Sequence, residues 1–536
     1  MVRAVGVVVA LLAAAAGAGP AEAGGGPAAP GDFNGDGLPD LAVGVAGETV
    51  DGVDDAGAVQ VVYAAPGALD DGPPGSIEDQ FWSQGRQGLA EAGEADDGFG
   101  EPLASGDFDG DGHADLAVGV PDEDVGAAVD AGAVHVLYGG PDGLQASAPD
   151  DQALTQDTPG VRGTADSADR FGSALAAADF DADGYVDLAV GVPSDDVGAV
   201  VVAGAVAVLY GSAGGLQADA PDDLLLTQDT ARVDDAAEVG DRFGEALAAG
   251  DLDGDGFADL AVGVPEEDVT VDDDGAVAVV HGSSGGLQGS APADQLWHQD
   301  SAGVRDSAEV GDEFGDRLAI GDFDGDGFGD LAVGVPQEDR SGLADSGVVA
   351  VLHGSAAGLQ ATAPDDQVWG QGGAGVRGIP EAGDRFGFAV SAGDFDGDGR
   401  DDLAVGIPYE TVGGVAQTGA VAVLHGSPAG LQSTAPDDQL WHQDTAGVCE
   451  VATGVEHFGW AVLARDFTAD GHADLAIGAP YETIADATGS HSQAGILHVL
   501  YGTAGGLGTV GDQCIWQGGT FLDRYEADDR FAHALG

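Results

Sequence analysis

One segment recurs along this chain at a nearly constant interval, and that periodicity restricts the fold more than any other feature. It runs Asp107-Phe-Asp-Gly-Asp-Gly-His-Ala-Asp115-Leu-Ala-Val-Gly-Val-Pro121 and returns at Asp179, Asp251, Asp322, Asp394 and Asp466, with an earlier copy at Asp32. Successive starts lie 75, 72, 72, 71, 72 and 72 residues apart, so seven copies fill residues 24–536. Length alone would point to several domains. A repeat whose units stack only on their neighbours makes one body instead.

Each period keeps one internal order. A Phe-Gly segment such as Asp241-Arg-Phe-Gly-Glu-Ala-Leu-Ala248 precedes the aspartate loop, and Asp-Leu-Ala-Val-Gly-Val-Pro follows it. An acidic connector comes next, then an apolar run such as Gly204-Ala-Val-Ala-Val-Leu-Tyr-Gly211, a Gly-Leu-Gln turn, and a segment ending as in Trp297-His-Gln299. Short β-rich runs bounded by Gly, Pro and Asp read as strands. Four strands per period make one propeller blade, so the expected fold is all-β, a seven-bladed β-propeller of four-stranded blades. The first copy lacks its Phe-Gly strand, since eight residues before Asp32 stands Gly24; the missing segment is Asp529-Arg-Phe-Ala-His-Ala-Leu-Gly536. The C-terminal strand is therefore expected to complete the first blade and close the ring.

The chemistry lies in the loop D-x-[DNT]-x-D-G-x-x-D. A hard cation such as calcium takes six to eight oxygen ligands, and oxygens at positions 1, 3, 5, 7 (through the backbone carbonyl) and 9 can wrap it, with glycine at position 6 allowing the sharp turn. The candidate ligands are Asp32, Asn34, Asp36, Leu38 and Asp40 in the first loop, and Asp107, Asp109, Asp111, His113 and Asp115 in the second. The third and fourth offer Asp179, Asp181, Asp183, Tyr185 and Asp187, then Asp251, Asp253, Asp255, Phe257 and Asp259. The fifth and sixth offer Asp322, Asp324, Asp326, Phe328 and Asp330, then Asp394, Asp396, Asp398, Arg400 and Asp402. Asp466, Thr468, Asp470, His472 and Asp474 form the seventh. Position 7 varies freely, as it would if only its backbone acts. An EF-hand would also need a glutamate at position 12 followed by a helix, but Val118 stands there, within an apolar strand. Asn34 and Thr468 weaken the first and last loops. An Asp-Gly pair is also an ordinary hairpin signal; a turn does not, however, need four acids within a few ångströms, whose repulsion is unfavourable without a cation. Up to seven calcium ions are expected.

Composition agrees. There are 95 acidic against 15 basic residues, all of the latter arginine, for a net charge of -80. Such a chain excludes nucleic acid and anionic membrane as natural partners and favours cations. The loops hold 26 carboxylates, and seven calcium ions would bring the charge only to about -66, which leaves an acidic excess on other surfaces. Arg3, the apolar run 4–17 and Ala21-Glu22-Ala23 read as a signal peptide over 1–23, hence secretion. No later apolar run is long enough to span a membrane, and the exported body is expected to be a monomer. Cys449 takes the slot of Arg377 and Cys514 lies in the last outer strand, so the exported protein is expected to pair them.

The Phe-Gly segment, the aspartate loop and the Gly-Val-Pro, Gly-Ile-Pro408 or Gly-Ala-Pro480 tripeptide resemble, over residues 32–536, the FG-GAP repeat of the integrin α-subunit propeller, found also in secreted bacterial proteins. The resemblance implies a seven-bladed propeller with calcium in loops joining strands one and two of a blade. This chain differs in carrying the loop in every blade and in having none of the remaining integrin domains.

Other residue sets read as parts of the repeat. His281, His353 and His425 stand where Tyr138, Tyr210 and Tyr501 do, as half-buried aromatic substitutes; His457 replaces the arginine of Asp-Arg-Phe-Gly. Trp82, Trp297, Trp369, Trp441 and Trp516 share an outer-strand slot that favours packing between blades over carbohydrate stacking, while Trp460, off that slot, is expected to face the central channel. No nucleophile elbow, zinc-protease helix or phosphate loop is present. The connectors between strands two and three, including Pro408-Tyr-Glu410 and Pro480-Tyr-Glu482, emerge opposite the aspartate loops, and Tyr409 and Tyr481 are their aromatics. The expected function is an extracellular binding or adhesion-type module for a protein or glycan ligand, without catalysis. The alternatives are a hydrolase or lyase on a propeller scaffold, since propellers host both, and a passive acidic protein adapted to high salt.

Overall fold

Turn residues cut each period into apolar runs of three to six residues, too short for helices and rich in Val, Leu and Ala. The computed structural model describes residues 28–536 apart from 70–78, 147–150, 218–222, 232, 234, 288–292, 363–365, 374, 435–437, 486–489 and 518–527. The expected signal peptide at 1–23 and residues 24–27 lie outside the described residues. Among the described residues there is no helix, and the strands form seven four-stranded antiparallel sheets and two short two-stranded ones.

The third blade shows the plan. Ala174–Ala178, Asp187–Val192, Ala205–Leu209 and Leu224–Leu226 pair in sequence order, from the innermost strand outward. The second strand is buried along its whole length, which is why it reads as an unbroken apolar run rather than an alternating one. One face meets the preceding blade and the other the following blade. Leu188 and Val190 share a core with Val134 and Val136 of the second blade, and Ala189 packs with Leu260 and Val262 of the fourth.

The glycine of Leu-Ala-Val-Gly-Val is required by this stacking. A Cβ on Gly191 would lie 2.2 Å from the carbonyl oxygen of Gly244 in the next blade, and one on Gly263 would lie 2.2 Å from that of Gly315. Each Phe-Gly backbone thus lies directly against the second strand of the blade before it.

The ring closes as the repeat predicts. Ala534–Leu535 adds to the edge of Leu41–Val45, with Val43 opposite Leu535 and Gly44 opposite Ala534. Gly536 and Ala42 exchange two backbone hydrogen bonds of 2.9 Å. The first blade therefore takes its innermost strand from the end of the chain and its other three, Leu41–Val45, Ala58–Val62 and Gln80–Trp82, from the beginning. Cys449 and Cys514 form a disulfide with Cα atoms 6.3 Å apart, joining the connector after the sixth blade to the outer strand of the seventh. That outer strand, Gly508–Ile515, has a register shift opposite Val499 to Tyr501.

Candidate metal loops and the face opposite them

Six of the aspartate loops join an innermost strand to the second strand of their blade, as between Leu103–Gly106 and Asp115–Val120, and the first leads into Leu41–Val45 of the blade whose innermost strand is Ala534–Leu535. Position 12 of that loop, Val118, lies within the strand, which separates the arrangement from an EF-hand. Side-chain oxygens organise the turn. Asp107 accepts hydrogen bonds from the amides of Asp111 (3.0 Å) and Gly112 (3.1 Å), Asp109 accepts one from Asp111 (3.0 Å), and Asp111 accepts one from His113 (2.9 Å). Asp115 is fully buried and ties the start of the loop to the end of the third strand, accepting from Phe108 and Gly139 at 2.8 Å each. The amide of every position-7 residue, Leu38, His113, Tyr185, Phe257, Phe328, Arg400 and His472, donates to the carboxylate two residues earlier.

The loop wrapped in this way holds acids against one another. Carboxylate oxygens of Asp107, Asp109 and Asp115 lie within 4.8 Å of each other, as do those of Asp179, Asp181 and Asp187. Burial, reinforced by the neighbouring acids, pushes Asp40, Asp115 and Asp187 up to about 8 and Asp474 up to about 7. Desolvation and like charge both disfavour the ionised form. A divalent cation among these oxygens would remove both penalties, so in loops such as the second and third the donor set fits calcium: carboxylate oxygens, on a turn that cannot open without losing its own hydrogen bonds.

Neighbouring loops are linked. The amide at position 8 of one loop donates to the position-1 carbonyl of the loop before: Ala114 to Asp32 (2.8 Å), Val186 to Asp107 (3.0 Å), Ala258 to Asp179 (3.1 Å), Gly329 to Asp251 (2.8 Å), Asp401 to Asp322 (3.0 Å) and Ala473 to Asp394 (2.7 Å). At the seventh junction position 8 is Pro39, which has no amide hydrogen. Buried Arg465 reaches across that seam instead, with Nη1 3.4 Å from the Asp40 carbonyl and Nη2 3.3 Å from Ser105 Oγ. The side chain at position 7 is not free to vary everywhere: a Cβ on Gly110 would meet the Tyr185 ring, one on Gly254 the Phe328 ring and one on Gly397 the His472 ring, so each of these side chains covers position 4 of the preceding loop.

The histidines in the tyrosine slot correct the sequence reading. His281, His353 and His425 are at most 1% exposed rather than half-buried, and they face the loop acids. Nδ1 lies 3.2 Å from Asp259 and 3.7 Å from Asp253 for His281, 3.2 Å from Asp330 for His353, and 3.1 Å from Asp402 for His425. The signal in the sequence was a tyrosine-to-histidine change in three consecutive blades.

The face opposite the loops brings the singled-out aromatics together. The His457 ring lies 4.7 Å from Tyr409 and 4.9 Å from Tyr481, and Arg385 sits over Tyr409 at 5.3 Å. Trp460 begins the innermost strand region as expected, but it is 5% exposed and packed rather than open to a channel, with Phe388 at 4.8 Å, Tyr481 at 5.3 Å and His533 at 5.7 Å. Phe388, Trp460 and His533 each follow the Phe-Gly position of their blade, whereas Glu101, Ser173, Glu245 and Asp316 take that place in the other four. One side of the ring is therefore aromatic at this level and the other acidic, with Arg170 paired to Asp122 (3.0 Å) and Arg242 to Glu266 (3.2 Å). Burial lowers His457 to about 4, which keeps it neutral at physiological pH. Of the five tryptophans assigned to one outer-strand slot, Trp82, Trp369 and Trp441 are at most 8% exposed and Trp297 is half-buried, all in cores shared with the following blade, whereas Ile515 takes the slot in the seventh blade and half-buried Trp516 lies one residue beyond it.

The comparisons with known proteins agree with this geometry. The FG-GAP repeat profile matches seven times, at residues 28–62, 99–137, 171–209, 243–280, 314–352, 386–424 and 458–500. Phosphatidylinositol-glycan-specific phospholipase D of Rattus norvegicus is 39% identical over 167 residues, 31% of this chain and 18% of that protein. Integrin alpha-PS2 of Drosophila melanogaster is 32% identical over 259 residues, 47% of this chain and 16% of that one, and integrin alpha-3 of Mus musculus is 34% identical over 184 residues, 34% and 16%. The matched part thus spans less than a fifth of each of these relatives. Seven repeats, each spanning one aspartate loop and running on to the third strand of its blade, establish that this chain belongs to the FG-GAP repeat family.

Proposed function

We propose that this chain is an extracellular, calcium-stabilised propeller that binds a protein or glycan ligand on the face opposite its metal loops. The observation that carries the calcium part is the convergence of carboxylate oxygens within 4.8 Å on loops whose amides are already committed to those same side chains. Each site would bind at roughly 10⁻⁴ to 10⁻³ M, the range of extracellular modules. Calcium titration of chelator-treated protein, read by bound metal per chain and by the melting midpoint, tests it: saturable uptake of up to seven ions with a raised midpoint is expected. An unchanged midpoint and no uptake would sink the reading.

The ligand part rests on the rigid scaffold beneath Tyr409, His457, Tyr481 and Arg385, since connectors on such scaffolds carry function. A glycan and matrix-protein array, probed with calcium and then with chelator, should retain a defined ligand only with calcium, and Tyr409→Ala with Tyr481→Ala should abolish retention. The similarity to a phosphatidylinositol-glycan-specific phospholipase D supports a second reading, in which the propeller belongs to an enzyme acting on a phosphoester. Turnover of such a substrate by the purified chain would replace the binding reading.

A further inference from the structure

The loops of the fourth, fifth and sixth blades differ from the other four in what stands behind them. In the first blade the third strand leads into Tyr63, whose hydroxyl accepts a hydrogen bond from the Leu144 amide of the next blade (2.9 Å). In the three histidine blades a glutamine of the outer strand accepts that cross-blade bond, Leu359 donating to Gln295, Leu431 to Gln367 and Leu507 to Gln439 at 2.8, 2.8 and 3.0 Å, as Gln152 accepts it from Leu216 (3.1 Å) beside Tyr138 in the second blade. The imidazoles take no part in that bond. Nδ1 of His281, His353 and His425 stands in ion-pair contact with Asp259, Asp330 and Asp402 at 3.2, 3.2 and 3.1 Å, and Nε2 of each has no hydrogen-bond partner, although each side chain is at most 1% exposed.

Their position supplies the reason. Nδ1 of His281 and one oxygen each from Asp253 and Asp259 lie within 4.8 Å of one another, and His425 stands in the same relation to Asp396 and Asp402. For His353 the distances from Nδ1 to Asp330 and Asp324 are 3.2 and 4.0 Å. Metal–nitrogen and metal–oxygen bonds of about 2.0–2.2 Å place adjacent donors roughly this far apart. Imidazole nitrogen is a poor ligand for calcium and a good one for zinc and later first-row divalent ions.

We propose that the fourth, fifth and sixth loops are mixed nitrogen and oxygen sites that accept a first-row transition-metal dication through His281, His353 and His425, while the other four loops are oxygen-only. The proposal rests on the loops being cation sites at all, and the test separates the two. Chelator-treated protein is loaded with manganese(II), the bound metal is counted, and pulsed electron paramagnetic resonance is used to detect nitrogen coupling. Coupling from imidazole at three of the occupied sites is expected, together with zinc displacing manganese from those three at least tenfold more readily than from the rest. The triple variant His281→Tyr, His353→Tyr, His425→Tyr carries the residue native to the other blades, so it should fold and keep calcium uptake while losing the nitrogen coupling and the zinc preference. Metal uptake without nitrogen coupling, as protonated imidazoles merely paired with the acids would produce, overturns the proposal and leaves the calcium reading standing; no uptake of calcium or manganese overturns both. His113 and His472 lie beside Asp111 and Asp470 in other loops. The control for them is His113→Leu with His472→Leu, which installs the residue that Leu38 provides at the same position of the first loop. Loss of the coupling in that variant instead of the triple one also overturns the proposal.

Discussion

Gln517 donates a hydrogen bond to the carboxylate of Glu48 at 2.7 Å across 469 residues of sequence, joining the last blade to the first. Elsewhere the same bond spans 39 residues: Gln84 to Glu123, Gln228 to Glu267, Gln299 to Glu338, Gln371 to Glu410 and Gln443 to Glu482. A glutamine two residues beyond the outer strand of one blade thus clamps the acid after the second strand of the next, and the seam between the chain ends is made like these five joints. Removing the donor leaves a buried polar acceptor at a cost of about 1–3 kcal/mol. Gln517→Ala should lower the melting midpoint by an amount similar to Gln371→Ala; a much smaller effect at Gln517 would mean that the seam is open in solution.

Deleting residues 529–536 removes more than one bond. The strand Leu41–Val45 would lose its partner and present an unpaired edge, a template for pairing with another chain. The truncated protein should unfold at a lower temperature and elute as aggregates from a sizing column. A monomer with the original midpoint would refute closure by this strand.

The clamp acids also set a pH dependence. Burial raises Glu123 to about 8 and Glu410 and Glu482 to about 7, and it raises Glu267 and Glu338 as well. A carboxyl raised in the folded state binds protons there that the unfolded chain has released, so stability falls as pH rises from about 4.3 towards the folded value. With calcium present to hold the loop acids, the midpoint should decline between about pH 5 and pH 8. Glu123→Gln with Glu410→Gln keeps acceptors in place and should flatten that decline; an unaltered slope would assign it to other acids.

The Cys449–Cys514 bond closes 65 residues and ties the sixth blade's connector to the seventh blade. Thiol titration of the denatured, unreduced protein should find no free thiol, and reduction should release two. Cys449→Ser with Cys514→Ser should cost about 2–4 kcal/mol on the chain-entropy account, read as a lower denaturant midpoint.

The number of blades, the four-strand plan and the borrowed C-terminal strand were all legible in sequence, because each follows from the fixed order of segments within the period. The period also announced the disulfide, as two departures from the repeat around one blade. What it could not show is which slots meet between blades. The glutamine–glutamate clamp, the amide bonds from loop to loop and their interruption at Pro39 all depend on the stacking distance and rotation of adjacent sheets, quantities that a repeat leaves identical whichever slots face one another. Tyr409, His457, Tyr481 and Trp460 likewise come from two different blades, and only the stacking of the sixth on the seventh brings their rings within contact. Local spacing determined each blade; packing of one blade on the next decided where its chemistry points.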